Sequence, residues 1–184
     1  QRLHGSRDYF QIEYHGYNFE IVPILAITKV EQAKNITDIS PFHIDWVNGN
    51  INNLANDVRK LKAFCHANGI YGAESYIGGF SGYVLEILTI YYNGFEKVLK
   101  AACKWKDKQI IDFQGYYKNK DAIKILNPSK INSPLIIIDP VQADRNAAAA
   151  LSYNAYNKFK QLAFQYLKKP SNNFFLRKGL DLKK

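Results

Sequence analysis

The sequence predicts an α+β chain in which short strands at the N-terminal edge give way to a mainly helical remainder, and three observations carry that reading. Tyr17, Phe19 and Ile21 fall on one face of an extended segment and Asn18, Glu20 and Val22 on the other, as in a half-buried strand. Leu54, Val58, Leu61 and Cys65 recur at helical spacing, and Leu151, Ala155, Phe159, Leu162 and Tyr166 do so again near the C-terminus. Between them Leu135 to Ile138 is a short continuous apolar run closed by Asp139-Pro140, the signature of a buried strand.

Taken in order, residues 9 to 22 read as strand until Pro23 ends any ladder. Asp38-Ile39-Ser40-Pro41 reads as a helix entry, with Ser40 as N-cap and Pro41 at the first helical position. The helix that follows stops at Asn68-Gly69. Gly78-Gly79-Phe80-Ser81-Gly82 is a flexible stretch leading into Tyr83 to Tyr92, a segment apolar nearly all round and so the most buried helix expected. Asn93-Gly94 breaks it, and Phe95, Val98, Leu99 and Ala102 mark a partner helix running to about Trp105. A long amphipathic helix is expected from Asn146 to Lys169, ended by Pro170, with a loose basic tail over Leu176 to Lys184. The seam between the strands and the helices is placed near residues 28 to 40.

Composition narrows the function classes. The 184 residues are 47% hydrophobic and 22% charged, which excludes a disordered or fibrous chain. Lys and Arg number 25 against 16 Asp and Glu, a net charge of +9 that calls for an anionic partner such as nucleic acid, nucleotide or a membrane surface. No apolar run reaches the roughly 18 residues of a membrane span, so no membrane insertion is expected. Cys65 and Cys103 read as reduced, buried thiols of a cytosolic protein. The chain begins at Gln1 and has no Met, so it is expected to be a piece of a longer product.

Sites legible by motif are few. There is neither a P-loop nor a dinucleotide-binding glycine fingerprint, and His4, His15, His43 and His66 are scattered without metal-ligand spacing. Phe80-Ser81-Gly82-Tyr83 before a helix suits an anion, although a plain glycine-rich helix entry fits the pattern better. A distributed set is sharper: Glu20, His43, Arg59 and Lys62, then Tyr71, Glu74 and Arg145-Asn146. Phosphoryl transfer needs such parts, namely carboxylates for divalent metal and cations and hydroxyls for a triphosphate. Each taken alone also fits a solvated charge or a structural hydrogen bond.

Read together, the segments resemble the archaeal-type (class I) CCA-adding tRNA nucleotidyltransferases. The resemblance rests on Glu20-Ile21-Val22-Pro23, Ser40-Pro41-Phe42-His43-Ile44-Asp45-Trp46, Val58-Arg59-Lys60-Leu61-Lys62 and Gly69-Ile70-Tyr71-Gly72-Ala73-Glu74. It continues through Gly79-Phe80-Ser81-Gly82-Tyr83 with Glu86, and Asp139-Pro140-Val141 followed by Arg145-Asn146. It implies a polymerase-beta-like edge over residues 1–30, a helical neck or central domain over 31–170 akin to the substrate-binding domain of poly(A) polymerases and oligoadenylate synthetases, and a basic tail over 171–184. It also implies a cytoplasmic enzyme that adds CMP and AMP from CTP and ATP to tRNA 3′ ends by two-metal nucleotidyl transfer with Mg2+. By the same resemblance, Ser40, His43, Lys62, Tyr71 and Arg145 line the nucleotide pocket, with Lys62 and Tyr71 near the triphosphate and Arg145 in base selection.

Three departures matter. Glu20 stands at the third catalytic, metal-binding carboxylate, where the family has Asp. Ile39 replaces an arginine common before the Ser/Thr-Pro pair. No D-x-D precedes Glu20, and Gly5-Ser6-Arg7-Asp8 lies too close to the strand to serve as the family's Gly-Ser motif. The chain alone is therefore expected to be inactive, with the D-x-D pair supplied by a companion chain or a missing region. An unpaired sheet edge leaves a homodimer open. The alternatives are a non-catalytic RNA-binding module and a poly(A) polymerase-like relative.

Overall fold

The computed structural model describes residues 1–3, 8–118 and 122–177. The chain divides into two compact units, Gln1–Trp46 and Val47–Lys184. Gly5, Ser6 and Arg7, His4, and the tail beyond residue 177 lie outside the described residues.

In the N-terminal unit, β1 (Arg2–Leu3), β2 (Tyr9–Tyr14) and β3 (Tyr17–Ile21) form an antiparallel sheet in that order. His15 (φ 49°) and Gly16 (φ 77°) make the two-residue β2–β3 turn, and two successive left-handed residues match the twist of the strands they join. The register pairs Phe10 with Ile21, Ile12 with Phe19 and Tyr14 with Tyr17, so one face is an unbroken apolar ladder. Gln11 with Glu20 and Glu13 with Asn18 occupy the other. The apolar face is open: Phe10 is 45% exposed and Tyr17 71%. The expected half-buried strand is thus corrected, because alternation specifies which face is apolar and not what covers it.

After the sheet, the buried Asp38 carboxylate accepts hydrogen bonds from the Leu25, Lys34 and Asn35 amides at 2.8, 3.1 and 3.0 Å, anchoring the connecting loop. A 3-10 turn over Ile36–Ile39 leads directly into α1 (Ser40–Asn50). Ser40 already has helical dihedrals (φ −52°, ψ −40°), and Asn35 caps the preceding turn by accepting from the Thr37 amide. Ser40 is therefore not the N-cap expected from sequence, since a cap keeps an extended backbone. The boundary between the two units lies inside α1.

The larger unit starts with α2 (Ala55–Ala67), α3 (Gly82–Tyr92) and α4 (Phe95–Ala102). Asn93 (φ 57°) closes α3 in the left-handed region, and Gly94 (φ 124°) turns the chain so that Asp57 Oδ1 accepts from the Phe95 amide at 2.9 Å. Then come β4 (Gln109–Asp112), a short α5 (Ala122–Ile125), β5 (Leu135–Asp139), β6 (Gln142–Asn146) and α6 (Tyr153–Lys168). β4 pairs parallel with β5, and β5 pairs antiparallel with β6. β5 is buried at every residue, as its continuous apolar run requires.

The expected helix from Asn146 to Lys169 begins at Tyr153 instead, with the Ser152 hydroxyl accepting from the Ala155 amide at 3.2 Å. Asn146 is committed to β6. Its buried amide donates to Lys130 O and Ser133 Oγ and accepts from the Ile137 and Ala148 amides. Phe64, Leu85, Leu88, Leu99 and Phe159 form the helical core at 0–1% exposure. Phe174 and Phe175, in a 3-10 turn over Asn172–Phe175, pack onto Phe64. Cys65 is buried and Cys103 only half-buried, so the expected burial holds for one thiol.

Candidate functional site

The start of α3 gathers several of the residues singled out by sequence. Residues 70–72 and 79–80 close a tight loop: Phe80 N donates to Ile70 O at 2.9 Å, Gly72 N to Phe80 O at 2.9 Å and Gly79 N to Gly72 O at 2.8 Å. Gly79 has no substitute here, because a Cβ would lie 2.9 Å from Gly72 O and 2.7 Å from the Ile70 carbonyl carbon. The loop delivers Tyr71 to the first turn of α3, which Ser81 caps by accepting from the Val84 amide at 3.3 Å.

Lys62 reaches the same turn from α2. Its Nζ donates to Glu86 Oε1 at 2.6 Å, both side chains being partly buried. A Cβ on Gly82 would crowd Tyr71 Oη at 3.1 Å and touch Lys62 Nζ at an ordinary 3.5 Å, so the missing side chain at Gly82 makes room for the Tyr71 hydroxyl. Gly82 and Glu86 are four apart and Tyr83 and Glu86 three apart, which places all three on one helix face.

Tyr83 links this cluster to the sheet. Its hydroxyl donates to Asp139 Oδ1 at 3.1 Å, and Arg145 donates to Asp139 Oδ2. Asp139 is wholly buried at the end of β5, and its Oδ1 also accepts from the Val141 amide at 3.0 Å. Burial first, and then the Asp139 carboxylate, push the Tyr83 phenol well above the ordinary tyrosine range, so it stays a neutral donor. Arg145 is 25% exposed: one edge of its guanidinium is anchored in the protein while the group remains open to solvent. Tyr116 and Tyr117 brace the β5–β6 turn by donating to Pro140 O at 2.7 Å and Ala143 O at 2.9 Å.

Lys62 and Tyr71 are thus brought together, and Arg145 is tied to the same helix through Asp139 and Tyr83. Glu20 and Ser40 are exposed and His43 is half-buried, all in the N-terminal unit. Arg59 bonds its own helix neighbour Asn56 at 2.7 Å. Trp105 is core: it is 4% exposed and stacks on Tyr156 and Phe159. Sequence reasoning missed that Glu86 partners Lys62 and that Asp139 and Tyr83 hold Arg145. The spacing of Gly82, Tyr83 and Glu86 was the available signal.

With that geometry in view, comparison with known proteins is specific. The family "tRNA nucleotidyltransferase, second domain" matches residues 56–176. The CCA-adding enzyme of Nanoarchaeum equitans is 50% identical over 90% of this chain and 43% of its own length. Those of Methanoregula boonei and Thermococcus kodakarensis are 37% and 34% identical over 94% and 96% of this chain, and 35% and 39% of theirs. The chain therefore spans about two fifths of the length of the curated relatives it matches. A chain in the structure of the E. coli MS115-1 CdnC:HORMA-deltaN complex superposes with a TM-score of 0.54 at 14% identity, over 94% of this chain and 60% of that one; this likeness concerns the fold alone. The family match over residues 56–176, taken with relatives that align along nine tenths or more of the sequence, places the chain in the tRNA nucleotidyltransferase family, on its archaeal-type CCA-adding branch.

Proposed function

We propose that this chain forms the nucleotide- and tRNA-end-binding part of an enzyme that transfers CMP and AMP from CTP and ATP to tRNA 3′ ends in the cytoplasm. The observation that carries the reading is the convergence of Lys62 and Tyr71 on the first turn of α3, beside an Arg145 held by a buried carboxylate. Lys62 suits a phosphate as a compact point charge, with the Tyr71 hydroxyl a second donor. The anchored Arg145 presents a fixed fork to a base edge. In the same proposal Ser40 and His43 also bind nucleotide, residues 1–30 are the end of the catalytic head domain and 31–170 the neck.

The described residues do not complete a Mg2+ site by themselves and would supply one ligand to it, Glu20. Among the described residues no three or more His, Cys, Asp or Glu side chains are grouped to hold a metal ion, and Glu20 sits exposed on the polar face of β3 opposite Gln11. In this reading Glu20 is the third carboxylate of a two-metal site whose D-x-D pair comes from a companion chain or a further region. The open apolar ladder of β2 and β3 is where such a partner would pack, or a second copy of this chain, and the isolated chain is inactive.

Equilibrium binding of ATP and CTP tests the pocket. Lys62→Ala is expected to weaken both by about tenfold or more, the worth of a charge-assisted hydrogen bond. tRNA binding by a chain that binds neither nucleotide would instead identify an RNA-binding module. Addition of a D-x-D-bearing head domain is expected to restore CMP and AMP incorporation into tRNA, and failure with every such domain abandons the two-chain version.

A further inference from the structure

A furrow between the C-terminal end of α2 and α6 has no part in the nucleotide pocket. It consists of two adjoining cavities, of about 380 and about 170 Å3, that share Asn68 and Leu162. His66, Lys158 and Arg177 line the larger. Gln165 and Asn173 line the smaller. No carboxylate occurs among the described lining residues of either. The contrast with the groove between α2 and α4 is informative, since there Asp57 and Glu96 are interleaved with Lys60, Lys97 and Lys100. Of these two, the furrow is the one whose described lining carries charge of a single sign.

Its walls are braced. Asn68 Nδ2 donates to Phe64 O at 2.7 Å and to Phe174 O at 2.9 Å, tying the segment that carries Arg177 to the end of α2. Phe174 stacks on Phe64 with ring centroids 6.0 Å apart. Lys158, Leu162 and Gln165 follow one another along α6 at helical spacing, a run of about 10 Å at 1.5 Å per residue. At the mouth of the furrow, the His66 ring lies 5.8 Å from the ring of Tyr71, so the furrow opens beside a residue of the nucleotide pocket.

We infer that this furrow binds single-stranded RNA through its backbone. Lys158, Arg177 and His66 meet phosphates, while the Gln165 and Asn173 carboxamides face ribose hydroxyls and base edges. A positively charged track with an aromatic ring at one end is how strands are held without regard to sequence. The carboxamides at the far end favour RNA over an acidic polypeptide, which offers carboxylates and few donors. The inference rests on the proposed nucleotide pocket only for the direction of the strand, which would bring an RNA end to Tyr71.

The test is fluorescence anisotropy of a labelled single-stranded oligoribonucleotide with the full chain, titrated across a salt series. The double variant Lys158→Ala/Arg177→Ala is expected to bind about tenfold more weakly and to lower the slope of log affinity against log salt by about 1 to 2, as loss of two phosphate contacts requires. Lys100→Ala, in the mixed-charge groove, is expected to change neither. The circular dichroism spectrum of each variant checks that it is folded. Unchanged RNA affinity in the double variant, no RNA binding by the wild type at low salt, or equal competition by polyglutamate at matched charge would each overturn the inference. ATP binding, measured in parallel, is expected to survive in the double variant. Its absence from the wild type, with furrow-dependent RNA binding intact, refutes the nucleotide pocket and leaves the furrow standing.

Discussion

Arg145 and Asp139 form an asymmetric pair, and the asymmetry decides what each substitution does. Asp139 is wholly buried and depends on Arg145 for compensation, whereas Arg145 is 25% exposed and can turn to water. Arg145→Ala takes the guanidinium away from a buried carboxylate while the Tyr83 hydroxyl and the Val141 amide still donate to it, a loss of about 3 kcal/mol at the low end for breaking a buried pair. Asp139→Asn retains a carbonyl oxygen for those donors and leaves a cation that can hydrate, a loss of about 1–2 kcal/mol. Urea unfolding of the two variants is expected to rank them in that order. Equal losses would mean that Asp139 is not held by Arg145. Nucleotide binding by Arg145→Ala must accordingly be read with its folded fraction in hand, and Arg145→Lys, which keeps the charge but not the fork, is the cleaner probe of base selection.

The entry to α3 makes opposite demands on two glycines. At Gly79 a Cβ would collide with the backbone of Ile70 and Gly72, which cannot move without opening the loop that holds Tyr71. Gly79→Ala is expected to cost about 1–3 kcal/mol, as overpacking does, and to impair nucleotide binding along with stability. At Gly82 the obstacle is the Tyr71 hydroxyl alone, and alanine is the better helix former by up to about 1 kcal/mol. Gly82→Ala is therefore expected to leave the thermal midpoint within a few degrees of wild type while weakening ATP binding. A variant that binds ATP normally would show that the Tyr71 hydroxyl is not needed where it sits. These elements differ in how far the sequence disclosed them. α2, α3 and α6 were legible because one apolar stripe recurs at their period, and β5 because it is apolar throughout. β6, Gln142 to Asn146, has no such pattern: pairing with β5 makes it a strand, and that pairing shortened the helix expected from Asn146. The site was legible by residue type at Lys62, Tyr71 and Arg145. The partners that fix them were not, since Glu86 lies 24 residues from Lys62 and Asp139 lies 56 from Tyr83, separations that only the fold closes.

For the molecule as a whole, the tyrosines and the net charge predict opposite responses to alkaline pH. Of 13 tyrosines, Tyr83, Tyr92, Tyr116, Tyr117 and Tyr156 are held above the ordinary range chiefly by burial, and Tyr153 chiefly by its hydrogen bond to Asp107. Tyr156, whose hydroxyl donates to Lys106 O at 2.7 Å, is pushed up to about 12. An unfolded tyrosine ionises near about 10. Above that pH the unfolded chain releases protons that the folded chain keeps, so the folded state binds more protons and stability falls as pH rises. Below it, the contribution of these phenols is fully present. A net charge of +9 argues the other way, because lysine deprotonation near about 10.4 relieves self-repulsion and would stabilise the fold. Tyr83 and Tyr156 are buried or part-buried and specifically hydrogen-bonded while most lysines are exposed and screened by salt, so the phenols are expected to prevail. Thermal unfolding at moderate salt should show a midpoint that declines steadily from pH 9.5 to about 11.5, with phenolate absorbance at 295 nm appearing in two stages, exposed rings first and the rest only on unfolding. Tyr156→Phe should flatten the decline. A midpoint that rises over the same interval would show that charge repulsion, and not the buried hydroxyls, sets the alkaline limit of this fold.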